Sequence, residues 1–151
     1  MKSIFGRWTM AAAMVFTLFL AGLVMAGTAF SAGGQQCVDN EDGTVTDKNT
    51  GLMWQKATVG PMNKNDAMNY VSGLSLGGHS DWRLPTRYEL KRLYLSQCKS
   101  MMNVLNDWYW SSSLFAVDPD YAWGVAFDNG YVSCNCYVGD DQYVRAVRAG
   151  Q

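Results

Sequence analysis

The sequence has no surplus of basic residues and contains a single histidine. Its 12 lysines and arginines are balanced by 13 aspartates and glutamates, which gives a formal net charge of -1. A nucleic-acid-binding protein needs a basic face to neutralise phosphates, so this balance argues against a nucleic acid partner. The one histidine, His79, lies in a Gly-Gly-His-Ser stretch with no carboxylate motif around it. We therefore expect no catalytic site, no metal and no cofactor.

Cysteine is also scarce, with only four residues at Cys37, Cys98, Cys134 and Cys136. An even number of cysteines in an exported protein favours disulfides over metal binding. Cys134 and Cys136 are two positions apart in a predicted strand, so both side chains are expected on one face, where joining them would strain the bond. We therefore predict that each pairs with a distant partner, either Cys37 or Cys98. The sequence does not specify which of Cys134 and Cys136 bonds to Cys37 and which to Cys98.

The N-terminal residues have the pattern of a signal peptide. Lys2 and Arg7 are followed by an apolar run from Thr9 to Phe30, and small residues offer a cleavage site near Ser31. We predict a signal peptide over residues 1–31, a linker over 32–38 and a single domain over 39–149. The alternative is an uncleaved membrane anchor, since the apolar run is long enough to span a bilayer. Either way the domain is expected to be exported, to the periplasm or the extracellular space.

The first half of the domain predicts a hairpin followed by two helices. Strands at 44–46 and 52–54 flank turn residues, and apolar periodicity indicates a helix over 63–76 that is capped by Asn63 or Asn65. Thr86 and Glu89 form a capping-box pattern that begins a second helix. The charged residues of this second helix are expected on its solvent face: Arg87, Lys91 and Arg92.

The second half predicts short, aromatic strands. They cover 108–113, 121–138 and 142–149, with a turn at Asp128-Asn129-Gly130 and an exposed loop from Leu114 to Asp120. A hairpin, two helices and then a run of strands is an α+β arrangement rather than a parallel α/β one.

Two segments are predicted to have structural roles. In the stretch Ser80–Leu90, the side chains of Trp82 and Leu84 are expected in the core, and Pro85 precedes the helix cap at Thr86. Arg83 alternates with those apolar residues and should face a carboxylate or loop carbonyls. Near the C-terminus, Arg145 and Arg148 are three apart in a predicted strand, so one is expected to be buried against an acid such as Glu89 or Asp81 and the other exposed.

Five ordered motifs resemble a known family. They are DNEDGTVTDKNTGLMWQK, GGHSDWRLPTRYEL, YWSSS, AWGVAFDNG and the closing YVRAVR, and they extend from about Asp39 to Arg148. This set resembles the Lcl C-terminal domain family of exported bacterial domains, which is similar to the fold of the formylglycine-generating sulfatase-modifying domains. The resemblance implies a C-type-lectin-like fold, with two helices flanking a small twisted antiparallel sheet with long loops. It implies no activity, because fold and function separate easily.

The resemblance suggests two kinds of bound metal, and this sequence matches neither pattern. Formylglycine-generating enzymes hold copper with two cysteines several residues apart, whereas Cys134 and Cys136 have one residue between them. Calcium-dependent lectins carry a Glu-Pro-Asn or Gln-Pro-Asp loop followed by Trp-Asn-Asp. This chain has only Asp118-Pro119-Asp120 and Asp128-Asn129, so calcium is possible but unsupported.

Aromatic residues are the strongest sign of a binding function. Five tryptophans and eight tyrosines follow the signal segment, more than a small core needs, and such rings are enriched at interfaces. We predict a non-catalytic recognition module that binds a glycan or a surface protein, with a copper oxidase or a structural envelope subunit as alternatives. The predicted ligand-binding residues lie in the loop ending at Tyr121 and in the nearby turn: Trp110, Asp118, Asp120, Tyr121, Trp123, Asp128 and Asn129.

Overall fold

The computed structural model describes residues 35–150, an α+β domain with two helices and two sheets. The elements in chain order are β1 Cys37–Asp39, β2 Thr44–Asp47, β3 Leu52–Gln55, β4 Val59–Met62, α1 Lys64–Ser72, α2 Arg87–Leu95, a 3-10 helix Gln97–Met101, β5 Trp108–Leu114, β6 Tyr121–Ala126, β7 Val132–Tyr137, β8 Gln142–Val144 and β9 Val147–Ala149. The predicted signal peptide, residues 1–31, lies outside the described residues, as do residues 32–34 of the predicted linker. Within residues 35–150 no helix is long and apolar enough to cross a membrane.

The strands form two sheets where the sequence predicted one. The first sheet is antiparallel, in the order β1-β2-β3-β9, and the second has the order β4-β8-β5-β6-β7. Only the β5–β8 pair is parallel. The hairpin β2–β3 and the meander β5–β6–β7 follow the predicted turns, because each is set by local turn residues. Strand β1 begins inside the predicted linker.

The core has two groups of buried side chains. In the first, Trp54 and Val147 of the four-stranded sheet pack with Leu90 and Leu93 of α2 and with Tyr109 of the five-stranded sheet. The second group joins α1 to the five-stranded sheet and includes Trp82, Leu84, Trp110 and Val144. Helix α2 carries the predicted capping box, in which the Thr86 hydroxyl accepts from the Glu89 N–H and the Glu89 carboxylate accepts from the Thr86 N–H.

The segment before α2 links the two sheets. Backbone N–H and C=O groups of Arg83 and Val147 exchange hydrogen bonds of 3.0 and 2.9 Å, which attach the segment to β9. On the other side, the N–H of Ser112 in β5 donates to the Pro85 carbonyl at 2.7 Å. The Arg83 guanidinium makes two hydrogen bonds to Glu89, at 2.9 and 2.7 Å. Burial raises the pKa of Glu89, and the hydrogen bonds from Arg83 and Thr86 more than offset it, so the pKa is lowered.

The two C-terminal arginines differ from the prediction, because both are buried. The chain leaves the five-stranded sheet after Val144 and enters the four-stranded sheet at Val147, so the regular alternation of a single strand does not apply. Arg148 pairs with Asp81 at 2.7 Å, the acid named from the sequence. Arg145 has no acidic partner among the described residues. It donates instead to three backbone carbonyls and a hydroxyl, those of Gln55, Lys56, Asn103 and Thr58.

The predicted disulfide pairing is wrong. Cys37 bonds to Cys98, with 5.2 Å between their Cα atoms, while Cys134 and Cys136 are free. Strand β1 lies against the 3-10 helix that carries Cys98, and β7 is an edge strand of the other sheet. Ala122 pairs with Cys136 and Gly124 with Ser133, so two residues of β7 lie opposite Trp123 in a bulge. The bulge breaks the simple alternation on which the prediction rested.

Candidate functional site

A cleft lies where the first turn of α2 meets the end of β5. We call it the Arg87 cleft; its volume is about 350 Å³, and it is lined by Arg87, Tyr88, Ser113, Leu114, Phe115, Ala116 and Trp123. Trp123 is half-buried, whereas Tyr88 and Leu114 are 66% and 61% exposed. An adjoining apolar groove between α1 and the Trp82–Leu84 segment shares Leu114 as a wall. Together they form one concave, largely aromatic and aliphatic surface.

The Arg87 guanidinium is held between two aromatic rings. Its central carbon is 3.8 Å from the ring centroid of Trp123 and 4.8 Å from that of Tyr88. One terminal nitrogen donates to the Tyr88 hydroxyl at 2.8 Å. The three ion pairs formed among residues 35–150 involve other residues, so Arg87 has no carboxylate partner there. A cation stacked on rings but not neutralised by an acid can offer its remaining N–H groups to a ligand.

Local structure fixes this arrangement. Thr86 caps α2, which makes Arg87 the first helical residue, and the N–H of Arg87 donates to the Ser113 hydroxyl at 3.2 Å. The register of β5 and β6 is irregular between the Trp110–Gly124 and Leu114–Ala122 pairs. Extra residues of β5 therefore lie opposite Trp123, and the Ser111 hydroxyl donates to the Trp123 carbonyl at 2.6 Å. The bulge turns the end of β5 toward the helix.

The predicted surface role of Trp110 is wrong. Its side chain is fully buried, and the indole N–H donates to the Met62 carbonyl at 2.8 Å. Trp110 is part of the core between α1 and the five-stranded sheet. Along β5, side chains alternate between faces, so an aromatic run in a central strand must place some rings inside.

Five of the other predicted ligand-binding residues lie at two opposite ends of one strand. Asp118 and Asp120 belong to the loop that precedes β6, Tyr121 is the first residue of β6, and Asp128 and Asn129 belong to the turn that follows it. A six-residue strand is about 20 Å long, so the loop and the turn do not form one surface. Successive connections of a meander fall at opposite ends of its strands. Trp123 alone among the seven lines the Arg87 cleft.

Arg87 itself was predicted to lie on a solvent face. Nothing in the helix pattern distinguishes it from Arg92, because its aromatic partner, Trp123, comes from a strand 36 positions further along the chain. The Ser111–Ser113 run after an aromatic strand was the only local signal, since small polar residues suit a bulge that approaches a helix. Its hydroxyls do bond to the cleft.

Two unusual ionisable groups lie nearer the core. Lys64 is 2% exposed as a residue, and its ammonium donates to the Ser111 carbonyl and lies over the Trp110 ring, 5.3 Å from the ring centroid. Burial lowers the pKa of Lys64 to about 8. Burial also raises the pKa of the Cys136 thiol, which disfavours the thiolate form needed to bind a metal. Within residues 35–150 no group of three His, Cys, Asp or Glu side chains is arranged to hold a metal ion.

The fold and the cleft define a small α+β domain with an aromatic surface. Residues 43–148 match the family model described as the Lcl C-terminal domain, so the chain belongs to this family. No curated protein matches the sequence. The matched residues include Arg87, the bulge in β5 and Trp123, so the whole Arg87 cleft lies inside the family domain.

Proposed function

We propose that this protein is an exported, non-catalytic recognition module that binds a glycan or a protein surface through the Arg87 cleft. The observation that carries the proposal is the Arg87 guanidinium, stacked on Trp123 in a cleft and without a carboxylate partner among the described residues. Arg83, four positions earlier, is by contrast paired with Glu89. A stacked arginine is oriented in advance and loses little entropy when a ligand arrives.

The chemistry of the cleft suits both kinds of ligand. Aromatic rings such as Tyr88 and Trp123 can stack on the apolar face of a sugar or on apolar side chains of a protein. The guanidinium and the Ser113 hydroxyl supply hydrogen bonds that fix the orientation. Exposed apolar residues extend the surface on either side: Met68, Leu114 and Val117. A protein partner would use this wider area, whereas a short glycan would fill the cleft alone.

Export and the finer fold class are part of the same proposal. The N-terminal sequence has the pattern of a signal peptide. A disulfide between Cys37 and Cys98 suits an oxidising compartment. The five ordered motifs resemble the Lcl C-terminal domain family, whose similarity to the sulfatase-modifying domains suits a C-type-lectin-like fold. The mass of the protein recovered from culture medium or periplasm tests export, since cleavage near Ser31 predicts a defined mature N-terminus.

A binding screen with matched tyrosine variants tests the cleft. Tyr88→Ala removes an exposed ring from the cleft, and Tyr131→Ala removes a similarly exposed ring elsewhere, since the two are 66% and 61% exposed. We expect wild type to bind a member of a glycan or surface-protein array, and Tyr88→Ala and Trp123→Ala to weaken that binding about tenfold or more. Tyr131→Ala should bind as wild type does. Equal binding by all four proteins would place the site elsewhere.

One alternative function would use the free thiols. A copper-dependent oxidase would need Cys134 and Cys136 as metal ligands, and both are free in the structure. Metal analysis and thiol titration of the purified protein, with Cys134→Ser as the control, distinguish a copper oxidase from the proposed recognition module. Stoichiometric copper that Cys134→Ser loses would support the oxidase. A structural subunit of an envelope assembly would instead self-associate, which light scattering measures.

A further inference from the structure

A second concave site lies at the other side of the five-stranded sheet, built on a glycine. A Cβ added to Gly124 would lie 2.9 Å from the Cys136 sulfur, 3.0 Å from the Gln142 side-chain oxygen and 3.2 Å from a ring carbon of Trp108. Side chains from β5, β7 and β8 can therefore converge above Gly124 only because it has none. They form the floor of a cavity of about 400 Å³, which we call the Gly124 pocket.

The rim of the Gly124 pocket is acidic. Asp107, Asp140 and Asp141 line it, and all three are exposed. None of them takes part in an ion pair within residues 35–150. Asp107 accepts a hydrogen bond from the Trp108 N–H, which holds its carboxylate at the mouth. Three uncompensated carboxylates around one cavity attract positive charge.

The floor contains an acceptor without a donor. Gln142 is only 8% exposed, and its side-chain oxygen has no hydrogen-bond partner among the described residues. A buried acceptor of this kind costs free energy unless a ligand or solvent molecule supplies a donor. Gln142 lines the pocket, so a ligand with N–H groups that enters past the carboxylates would reach this side chain, whose amide has to rotate to present the buried oxygen.

We propose that the Gly124 pocket binds an alkylammonium group, as carried by a polyamine or a lysine side chain. The ammonium supplies three donors and one positive charge to the aspartates and to the Gln142 oxygen. The alkyl chain lies against the indole of Trp108, which is half-buried and also attracts cations through its ring face. The cavity has room for the chain as well as the charged end. This site is separate from the Arg87 cleft, with which it shares no lining residue.

Calorimetry on the folded protein tests the proposal with four probes: spermidine, Nα-acetyl-lysine methylamide, hexane-1,6-diol and calcium chloride. We expect saturable binding of at least one amine that weakens with added salt, and none of the neutral diol. Binding of spermidine alone would identify polyamines as the ligand class, and binding of the lysine derivative would identify a protein side chain. Failure of both amines to bind would overturn the proposal.

Matched variants locate the binding. Asp141→Asn and Asp107→Asn each remove one rim charge and should weaken amine binding by up to about fivefold. Glu41→Gln makes the same charge change on an exposed residue of the other sheet and should have no effect. Gln142→Met removes the buried acceptor without changing charge, and should weaken binding while thermal stability is kept. Equal affinities in all of these variants would refute the site, as would calcium binding that depends on the same aspartates.

Discussion

The ion pairs lie around the four-stranded sheet, and within residues 35–150 none lies around the five-stranded sheet. All three ion pairs found in residues 35–150 lie at the first sheet or the segment attached to it: Lys56 with Asp39, Arg83 with Glu89 and Arg148 with Asp81. Around the second sheet, the cations Lys64 and Arg87 have no acid, and the carboxylates of the Gly124 pocket have no cation. The cysteines divide in the same way, bonded in one region and free in the other.

This difference separates groups that hold the fold from groups that remain available to a ligand. A charged side chain that is already paired with an opposite charge and hydrogen-bonded gains little from a ligand. An unpaired charged side chain can still form an ion pair or hydrogen bonds with a ligand. We therefore infer that the first sheet with α2 is the stable frame and that the second sheet carries the binding surfaces. Three further experiments test that division.

The largest effect is expected from the cysteines. The Cys37–Cys98 bond closes a loop with a sequence separation of 61, so Cys37→Ala/Cys98→Ala should lower the free energy of unfolding by about 4 kcal/mol. Cys134→Ala/Cys136→Ala removes two thiols that close no loop and should cost much less. Chemical denaturation of both double variants measures the difference. A similar loss of unfolding free energy in both double variants would contradict the division into a stable first sheet and a second sheet that carries the binding surfaces.

The next effect concerns the buried Lys64. Its pKa in the folded state is about 8, below the ordinary value of 10.5, so between these pH values the unfolded chain binds more protons than the folded one. Stability should therefore increase as pH rises from 8 to 10.5, by an amount on the order of 3 kcal/mol for this group.

Lys64→Met provides the control for that experiment. Tyrosines and the Cys136 thiol also titrate above pH 8, so the contribution of Lys64 is the difference between wild type and variant. We expect the variant to be more stable at pH 7 and the difference to disappear by about pH 10.5. A difference independent of pH would show that the ammonium is not buried as a charge.

The smallest effect on stability is expected in a comparison of two arginines that are four positions apart. Arg83 is paired with Glu89 but is 46% exposed along its side chain, so Arg83→Met should lower stability by only about 1 kcal/mol, with ligand binding unchanged. Arg87→Met should do the reverse, with loss of binding at the Arg87 cleft and little change in melting temperature. Thermal denaturation and the binding assay on both variants decide this. A fall in stability for both would make Arg87 a structural residue.

Local sequence signals predicted the parts of the fold that depend on near neighbours. The capping box of Thr86 and Glu89 was confirmed, because both residues act within one helical turn. The turns of the β5–β6–β7 meander were confirmed for the same reason. The α+β class was also confirmed, but the division into two sheets was not predicted. That division depends on the chain crossing between sheets at Arg145, a position whose partners are distant in sequence.

The proposed binding surfaces were only partly predictable from sequence. Among the predicted ligand-binding residues, Trp123 lines the Arg87 cleft, Trp110 is in the core, and the loop and the turn are far apart. Arg87 and Gln142 were missed as site residues. Their surroundings come from strands and helices far apart in the chain, so no local pattern marks them. The same is true of the Cys37–Cys98 bond, since cysteine spacing does not specify connectivity.

The disulfide also has a mechanical consequence. Cys37 opens β1, the first strand of the domain and an edge strand of its sheet. A pulling force applied to the chain before Cys37 would therefore pass through a covalent bond directly to Cys98, next to α2. The loop between the two cysteines, whose sequence separation is 61, cannot be extended until that bond breaks, even if the hydrogen bonds of β1 are already broken. The frame of the domain is thus protected against extension from the side on which a tether would be attached.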